Sequence, residues 1–308
     1  MNYREALADS LCQAMADDDR VLCLGVGVAD CKGIFGTTKE VAQRYPDRVV
    51  ETPLSEHTLT GACVGLALEG YKPVLVHARA DFLMLAMEHL VNTAAKWNAS
   101  HGRTKPLPMV VRAIIGRGWG QGPQHSQNFA SWLAAAPGLN ILAPVTVKRA
   151  QYSIQDALVT GKPTVIFESR RLFETELDCP DAIEAESTDI ILLTVGDIVL
   201  DALAAVPLLR QVGIEAAVRP VEALTAQWLR RDRLKPYIIC DTGFGFVQSV
   251  ADGSLVCPEF RPCPTAASQE AEWYPSVDDI VRAACLRFSK LPPAPAGKIP
   301  LDAFRGPF

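Results

Sequence analysis

The chain has 308 residues, 49% of them hydrophobic and 21% charged, with a formal net charge of −5. That is enough apolar material for one large or two ordinary globular domains, and it lacks the basic surplus that would draw nucleic acid or an anionic membrane surface. No apolar run approaches the roughly 18 residues of a bilayer-spanning helix.

The first residues, MNYREALADSLCQAM, read as an amphipathic helix with acidic positions, unlike a secretory signal or a transit peptide. The expected location is therefore cytoplasmic. Of the nine cysteines none forms a CxxC pair, and Cys12, Cys23, Cys63, Cys240 and Cys285 lie inside apolar runs. Buried free thiols are expected, rather than disulfides or a metal site.

Strand and helix patterns then alternate. A first helix covers Tyr3 to Asp17, and RVLCLG at Arg20 is a short buried strand. A glycine-containing loop (Gly25–Gly36) leads to a helix from Thr37, with the threonine as cap. RVVET near Arg48 is a strand that runs into ETPLSEHTLTGACVGLALEG (Glu51–Gly70), a helix of small residues with Glu56 at its mouth. Glycine costs a helix about 1 kcal/mol against alanine, so Gly61 and Gly65 predict a close approach by another backbone or a flat ligand. Lys72–Ala78 is a strand. Phe82–Trp97 reads as one long helix with Phe82, Leu85, Ala86, Leu90, Ala94 and Trp97 on its apolar face. Leu107–Ile115, apolar along nearly its full length, predicts a strand covered on both faces, as in a parallel sheet. The glycine-rich loop Gly116–Gln127 follows, then the strand Leu139–Pro144, the helix Val147–Val159 and the strand Pro163–Ser169.

Leu172–Thr188 is acidic, aperiodic and contains a proline, and reads as a linker. Beyond it, the strands Asp189–Gly196, Ile214–Val221 and Pro236–Gly243 and the helices Ile198–Leu209 and Ser276–Phe288 restart the alternation. The fold class is α/β with two domains, each a mostly parallel sheet flanked by helices. The expected boundaries are 1–172, a linker 173–188, a second domain 189–290 and a proline-rich tail 291–308 that serves as a loose tail or an arm on a partner subunit.

Ligands of open α/β sheets sit beyond the carboxyl ends of the strands. Glu56, the pair Asp81 and Phe82, and the Gly116 loop with His125 all follow strand ends. Taken singly, Glu56 is a helix-dipole partner worth about 0.3–1 kcal/mol, Phe82 a core residue, His125 a satisfied loop residue and the glycine loop a turn. No HExxH, DxDxDG, GxSxG or GxxxxGK[ST] pattern occurs, and GRGWGQG leads into Pro-Gln-His-Ser instead of a helix.

Together these pieces carry a resemblance. The order T-P-L-S-E (Thr52–Glu56), G-x-x-V-G-L-A-L-E-G (Gly61–Gly70), K-P-V (Lys72–Val74), A-D-F (Ala80–Phe82), V-N-T-A-A-K (Val91–Lys96) and G-P-Q-H-S-Q (Gly122–Gln127) is similar to beta subunits of the thiamine-diphosphate-dependent decarboxylase component of 2-oxo acid dehydrogenases. Their pyrimidine-binding module is shared with transketolases. The match runs from Asn2 to about Ser169 and continues more loosely through Asp189–Asp241 as a transketolase-like C-terminal domain. The resemblance implies that the cofactor's aminopyrimidine becomes the base once a carboxylic acid hydrogen-bonds its ring nitrogen, and it assigns that acid to Glu56. It implies that Phe82 packs on the pyrimidine with Asp81 beside it, and that His125 faces the substrate. Mg²⁺ and the diphosphate are held in this superfamily by a GDG…N motif. This chain has no GDG, its nearest run being Val195-Gly196-Asp197-Ile198 in the other domain. The resemblance therefore implies an alpha-type partner carrying that motif, in an α2β2 assembly with shared sites.

Departures bear on substrate. Gly25-Val26-Gly27 stands where the family has G-E-D, His77 and Arg79 precede Asp81, and Arg117 and Trp119 enrich the glycine loop. These groups predict a substrate larger or more anionic than pyruvate, with pairing of Arg79 or Arg117 to the partner subunit as the equal alternative. The stretch after Gly243 is short, so the second domain is expected to be trimmed. That leaves three readings: a beta subunit that decarboxylates a 2-oxo acid and passes the acyl unit to a lipoyl acyltransferase; a split transketolase-like carboligase; and a non-catalytic assembly subunit.

Overall fold

Strands with apolar side chains on both faces carry the architecture. The computed structural model describes residues 1–102, 105–118, 120–178, 188–224, 236–243 and 255–296. In the first domain β1 (Val21–Gly25), β2 (Val49–Glu51), β3 (Lys72–His77), β4 (Val110–Ile115), β5 (Asn140–Leu142) and β6 (Thr164–Ser169) form a six-stranded sheet in the order β2-β1-β3-β4-β6-β5. Every pairing is parallel. In β4, Val110 and Ile114 join one core cluster while Val111, Ala113 and Ile115 join the other. Burial on both faces is why that segment is apolar at every position but Arg112, whose guanidinium is paired with buried Glu168 on β6.

Helices cover the two faces. α1 (Tyr3–Asp17), closed by an Asn2–Glu5 capping box, packs on α6 (Val147–Val159). The opposite face takes α3 (Glu56–Leu68), which buries Cys63, Val64 and Ala67. The threonines before α2 (Lys39–Arg44) do not cap it: Thr37 Oγ1 donates to Ile34 O and Thr38 Oγ1 to Val28 O.

The second domain is a four-stranded sheet, β10-β9-β7-β8, from β7 (Ile190–Val195), β8 (Ala216–Pro220), β9 (Tyr237–Asp241) and β10 (Leu255–Val256). α7 (Val199–Gln211) packs against the closing helix Val277–Arg287. β10 has two residues, and most of the stretch expected to be trimmed, residues 244–254, lies outside the described residues. The two domains share their cores, because Ile190 and Leu192 belong to one cluster with first-domain residues and Ile191 and Leu193 to the other. A bridge from Leu142 to Ala223, with Ala143 N donating to Glu222 O and Leu224 N to Ile141 O, stitches β5 to the exit of β8.

Two expectations change. Phe82–Trp97 is not one α-helix: it is a 3₁₀ segment over Asp81–Ala86, a π-helical segment over Glu88–Ala94 and a short α4 (Trp97–His101). A tight turn followed by a wide one shifts the phase of the face. Leu83, Ala86, Leu90 and Ala94 are buried, whereas Leu85 is 59% exposed and Phe82 is 36% exposed. In the segment read as a linker, Phe173 O and Thr175 O accept from Arg4 N and Tyr3 N, and Leu177 O accepts from Val147 N, which holds these residues to the first domain. The rest of that segment from 179 to 187, Trp119 and the tail from 297 lie outside the described residues. Cys12, Cys23, Cys63, Cys240 and Cys285 are buried free thiols.

Candidate active site

The sheet order puts the site at its switch point. The chain leaves β1 for β2 on one side and then returns to β3 on the other, and crevices at the carboxyl ends of such strands take ligands. The turns after β2, β3 and β4 therefore lie along one edge of the sheet. They carry Glu56, the residues His77–Phe82 and the Gly116–Gln127 loop.

Glu56 is the first residue of α3, and Ser55 ahead of it makes no side-chain cap. The residue is 9% exposed, and among the described residues no hydrogen-bond donor reaches its carboxylate. Thr60 Oγ1 donates to its backbone carbonyl and tightens this first turn. The glycines of α3 face two different surroundings. A Cβ at Gly61 would lie 2.8 Å from Nε2 of His89, so this glycine admits an imidazole from the π-helical segment. At Gly65 nothing comes within 4 Å; that face of α3 is open.

α3 packs on the segment Asp81–Ala86. The half-exposed Phe82 ring meets the His125 imidazole edge-on at 5.4 Å and 90°. The structure thus brings Phe82 and His125 into one contact, although 43 positions of sequence separate them. Asp81 is buried and accepts from the backbone N and the side-chain Nε2 of Gln127, at 3.1 and 2.9 Å. Burial raises its pKa, against the opposing pull of the Gln127 hydrogen bonds. Its Oδ1 therefore ties the loop, and only Oδ2 points elsewhere, without a partner. His77 Nε2 and His125 Nδ1 are likewise buried and unpartnered among the described residues. Three orphaned polar atoms on one edge are costly unless a ligand satisfies them.

His77 sits at the end of β3, and burial pushes its pKa down to about 4. The unfolded imidazole takes a proton near pH 6.5 and the folded one does not until pH 4 is approached. The unfolded state therefore binds more protons in that window, and stability falls as pH drops from 6.5 towards 4. The loss reaches roughly 2 kcal/mol by pH 5. In denaturant titrations at pH 7.5 and 5, His77→Asn should remove most of this difference; an unchanged pH dependence would assign it to other groups.

The cationic groups go elsewhere than the sequence suggested. Arg79 is buried, donates to Ala78 O and to Gln121 Oε1, and lies over the Phe35 ring at 5.7 Å. Burial, with neighbouring Arg170, lowers its pKa to about 10. Arg117 is buried against the second domain. It pairs with Asp197 at 3.1 Å and Asp201 at 3.5 Å, donates to Pro275 O and lies over Tyr274. Burial opposes its charge, but the two carboxylates outweigh burial and raise its pKa. Arg117 is an interdomain tie. Asp197, in the run nearest to a GDG, is committed to this pair and to Arg171.

Sequence reasoning missed the residues that hold the glycine loop. Glu270, fully buried on the helix Ala267–Trp273, accepts from Gly118 N at 2.6 Å and from Gly120 N at 2.5 Å. The Tyr274 hydroxyl donates to Ser126 O. Gly120, at φ +62°, comes so close to Ala267 that a Cβ would lie 2.9 Å from the alanine's. Glu51 does the same service for the first loop, accepting from Gly27 N at 2.5 Å and Ala29 N at 3.0 Å. Glu270 lies about 150 positions from its partners, so no local pattern could show it. Glu51 ends a strand directly ahead of the Glu56 turn, which was a weak signal.

Comparison with known proteins agrees with this architecture. A family model described as the transketolase pyrimidine-binding domain matches residues 1–175. The mitochondrial pyruvate dehydrogenase E1 component subunit beta-1 of Arabidopsis thaliana is 32% identical over 326 residues, covering 93% of this chain and 90% of its own length. Among solved structures, the transketolase of Leishmania mexicana superposes with a TM-score of 0.76 at 18% identity, over 97% of this chain and 47% of that one. A split-gene transketolase, described as an inactive beta4 tetramer, superposes with a TM-score of 0.72 at 17% identity over 94% and 98% of the two chains. These two show the shared fold. The chain belongs to the transketolase pyrimidine-binding family and, within it, to the beta subunits of the thiamine-diphosphate-dependent decarboxylase component of 2-oxo acid dehydrogenases.

Proposed function

We propose that this chain is the pyrimidine-binding subunit of a two-chain enzyme that decarboxylates a 2-oxo acid and transfers the acyl unit to a lipoyl carrier. The observation that carries the proposal is Glu56, a residue only 9% exposed whose carboxylate meets no hydrogen-bond donor among the described residues. A carboxylate free of internal donors at such a position fits a heteroaromatic ring nitrogen that hydrogen-bonds to it. The orphaned atoms of His77, Asp81 and His125 and the exposed edge of Phe82 suit a flat ring and a polar substrate. When bound, thiamine diphosphate supplies the carbanion stabilisation of the reaction. Glu56 would hold the proton at its carboxyl oxygen, Phe82 would orient the ring by packing, and the His125 imidazole would bind the substrate carboxylate or move a proton.

An alpha-type partner completes the reading. The chain has no GDG motif for Mg²⁺ and diphosphate, and Asp197 is already neutralised by arginines. The open face of α3 at Gly65 leaves room for a second subunit. Two of each chain is the stoichiometry that gives paired interfacial sites.

The test is reconstitution. The chain alone, supplied with thiamine diphosphate and Mg²⁺, should turn over no 2-oxo acid; with a GDG-bearing partner it should. Turnover without any partner would overturn the two-chain reading. A split carboligase is the second reading. Lipoamide reduction supports the first reading, and carbon–carbon bond formation with an aldehyde supports the second.

A further inference from the structure

Next to Glu56 lies a cluster that the cofactor reading does not use. His57, the second residue of α3, and the consecutive Glu88 and His89 of the π-helical segment bring one ligand atom each within 4.8 Å of one another. We propose that His57, Glu88 and His89 form a divalent-metal site of the zinc class that joins α3 to the π-helical segment.

The arrangement has features of a built site. The two imidazoles come from different elements, and their centroids lie only 4.3 Å apart at a tilt of 50°. Gly61 makes this possible, because a Cβ there would lie 2.8 Å from His89 Nε2 and 2.9 Å from its Cε1. Any other residue at 61 would meet the His89 ring and require it to move. The Glu88 carboxylate lies 3.1 Å from His89 Nδ1 and supplies the negative charge. Consecutive residues on an ordinary α-helix point about 100° apart, yet here both reach one point. The backbone between them and Ala94 is π-helical, a conformation found mostly as short segments at functional sites.

The donor set selects the ion. Two imidazoles and one carboxylate are borderline ligands that suit Zn²⁺, Co²⁺ or Ni²⁺ and leave a fourth position for water. Mg²⁺ and Ca²⁺ prefer oxygen donors, so this site is separate from the Mg²⁺ that the cofactor requires. Bonds of about 2.1 Å in a tetrahedron need ligand atoms roughly 3.4 Å apart. Exposed Glu88 and His57 can close that gap by side-chain rotation. A cation here meets the positive end of the α3 dipole, which the Glu88 carboxylate offsets. The bound ion would clamp the turn that begins α3 to the segment behind it.

The experiment needs no turnover, so its outcome is independent of the cofactor reading. The full chain, stripped of metal with a chelator, is titrated with Co²⁺ and then with Zn²⁺. One equivalent of Co²⁺ should bind with tetrahedral visible absorption and without a thiolate charge-transfer band, which excludes exposed Cys31. Zn²⁺ should displace it. His57→Asn and His89→Asn should each weaken binding by roughly tenfold or more, with far-UV circular dichroism unchanged. Glu88→Gln, which leaves both rings in place, should weaken it as well and decides the matter if a histidine variant fails to fold. No saturable Co²⁺ or Zn²⁺ uptake, uptake unchanged in the His57→Asn/His89→Asn double variant, or undiminished affinity in Glu88→Gln would each overturn the site.

Discussion

Glu56→Gln, assembled with its partner subunit, should lose turnover by about 10²–10⁴-fold while retaining cofactor binding and its melting temperature. Glutamine matches glutamate in size, so the first turn of α3 and the Thr60 hydrogen bond to the Glu56 carbonyl are undisturbed. What disappears is the exchangeable carboxyl proton. A residue that merely balanced the helix dipole would behave otherwise: its loss would cost about 0.3–1 kcal/mol of stability and leave the rate intact. Near-normal turnover in the assembled enzyme would therefore sink the catalytic assignment and leave the assembly-subunit reading standing. The assay reads cofactor affinity and rate separately, so weak assembly is not mistaken for lost chemistry.

Arg117→Met should destabilise the chain by about 3–5 kcal/mol, since removing one partner of a buried ion pair strands the other charge. In a chain of this size that is on the order of 10 °C in Tm. Asp197 and Asp201 are 1% and 3% exposed. Arg171 remains beside them, at 3.7 Å from Asp197 and 2.5 Å from Asp201, which holds the effect towards the lower end. The same change frees one anchor of the loop bearing His125, so KM should rise as a secondary effect. A substrate-binding arginine would give the reverse: a raised KM with an unchanged Tm. Differential scanning calorimetry beside steady-state kinetics distinguishes the two, and an unaltered Tm would return Arg117 to the substrate.

Most strands and helices were legible because their signals are local. The apolar run Val110–Ile115 announces a strand buried on both faces, and the ends of α1 and α6 fall where the pattern stops. The segment Asp81–Ala94 was not legible as 3₁₀ and π turns. Its apolar residues fit a helical period well enough, and it is the packing of Leu83, Ala86 and Leu90 under α3 that chooses the actual winding. The pairing of Arg117 inside the chain was not legible for a related reason. A charged side chain near a strand end looks like a ligand group until its partners are known, and those of Arg117 lie in the other domain, 80 and 84 positions away.

The sequence by itself determined the alternation of strands and helices, the two parallel-sheet domains and the order of motifs that marks the family. Each of these is written in short windows of period, turn chemistry and spacing. Only the tertiary structure decided which polar groups stay unsatisfied. His77 Nε2, Asp81 Oδ2 and His125 Nδ1 are buried without a partner among the described residues, whereas Arg117 and Asp197 meet counter-charges that the rest of the fold brings to them. The fold's second domain also supplies Glu270 and Tyr274 to hold the glycine loop. These are contacts between residues far apart in the chain, and no local pattern encodes them.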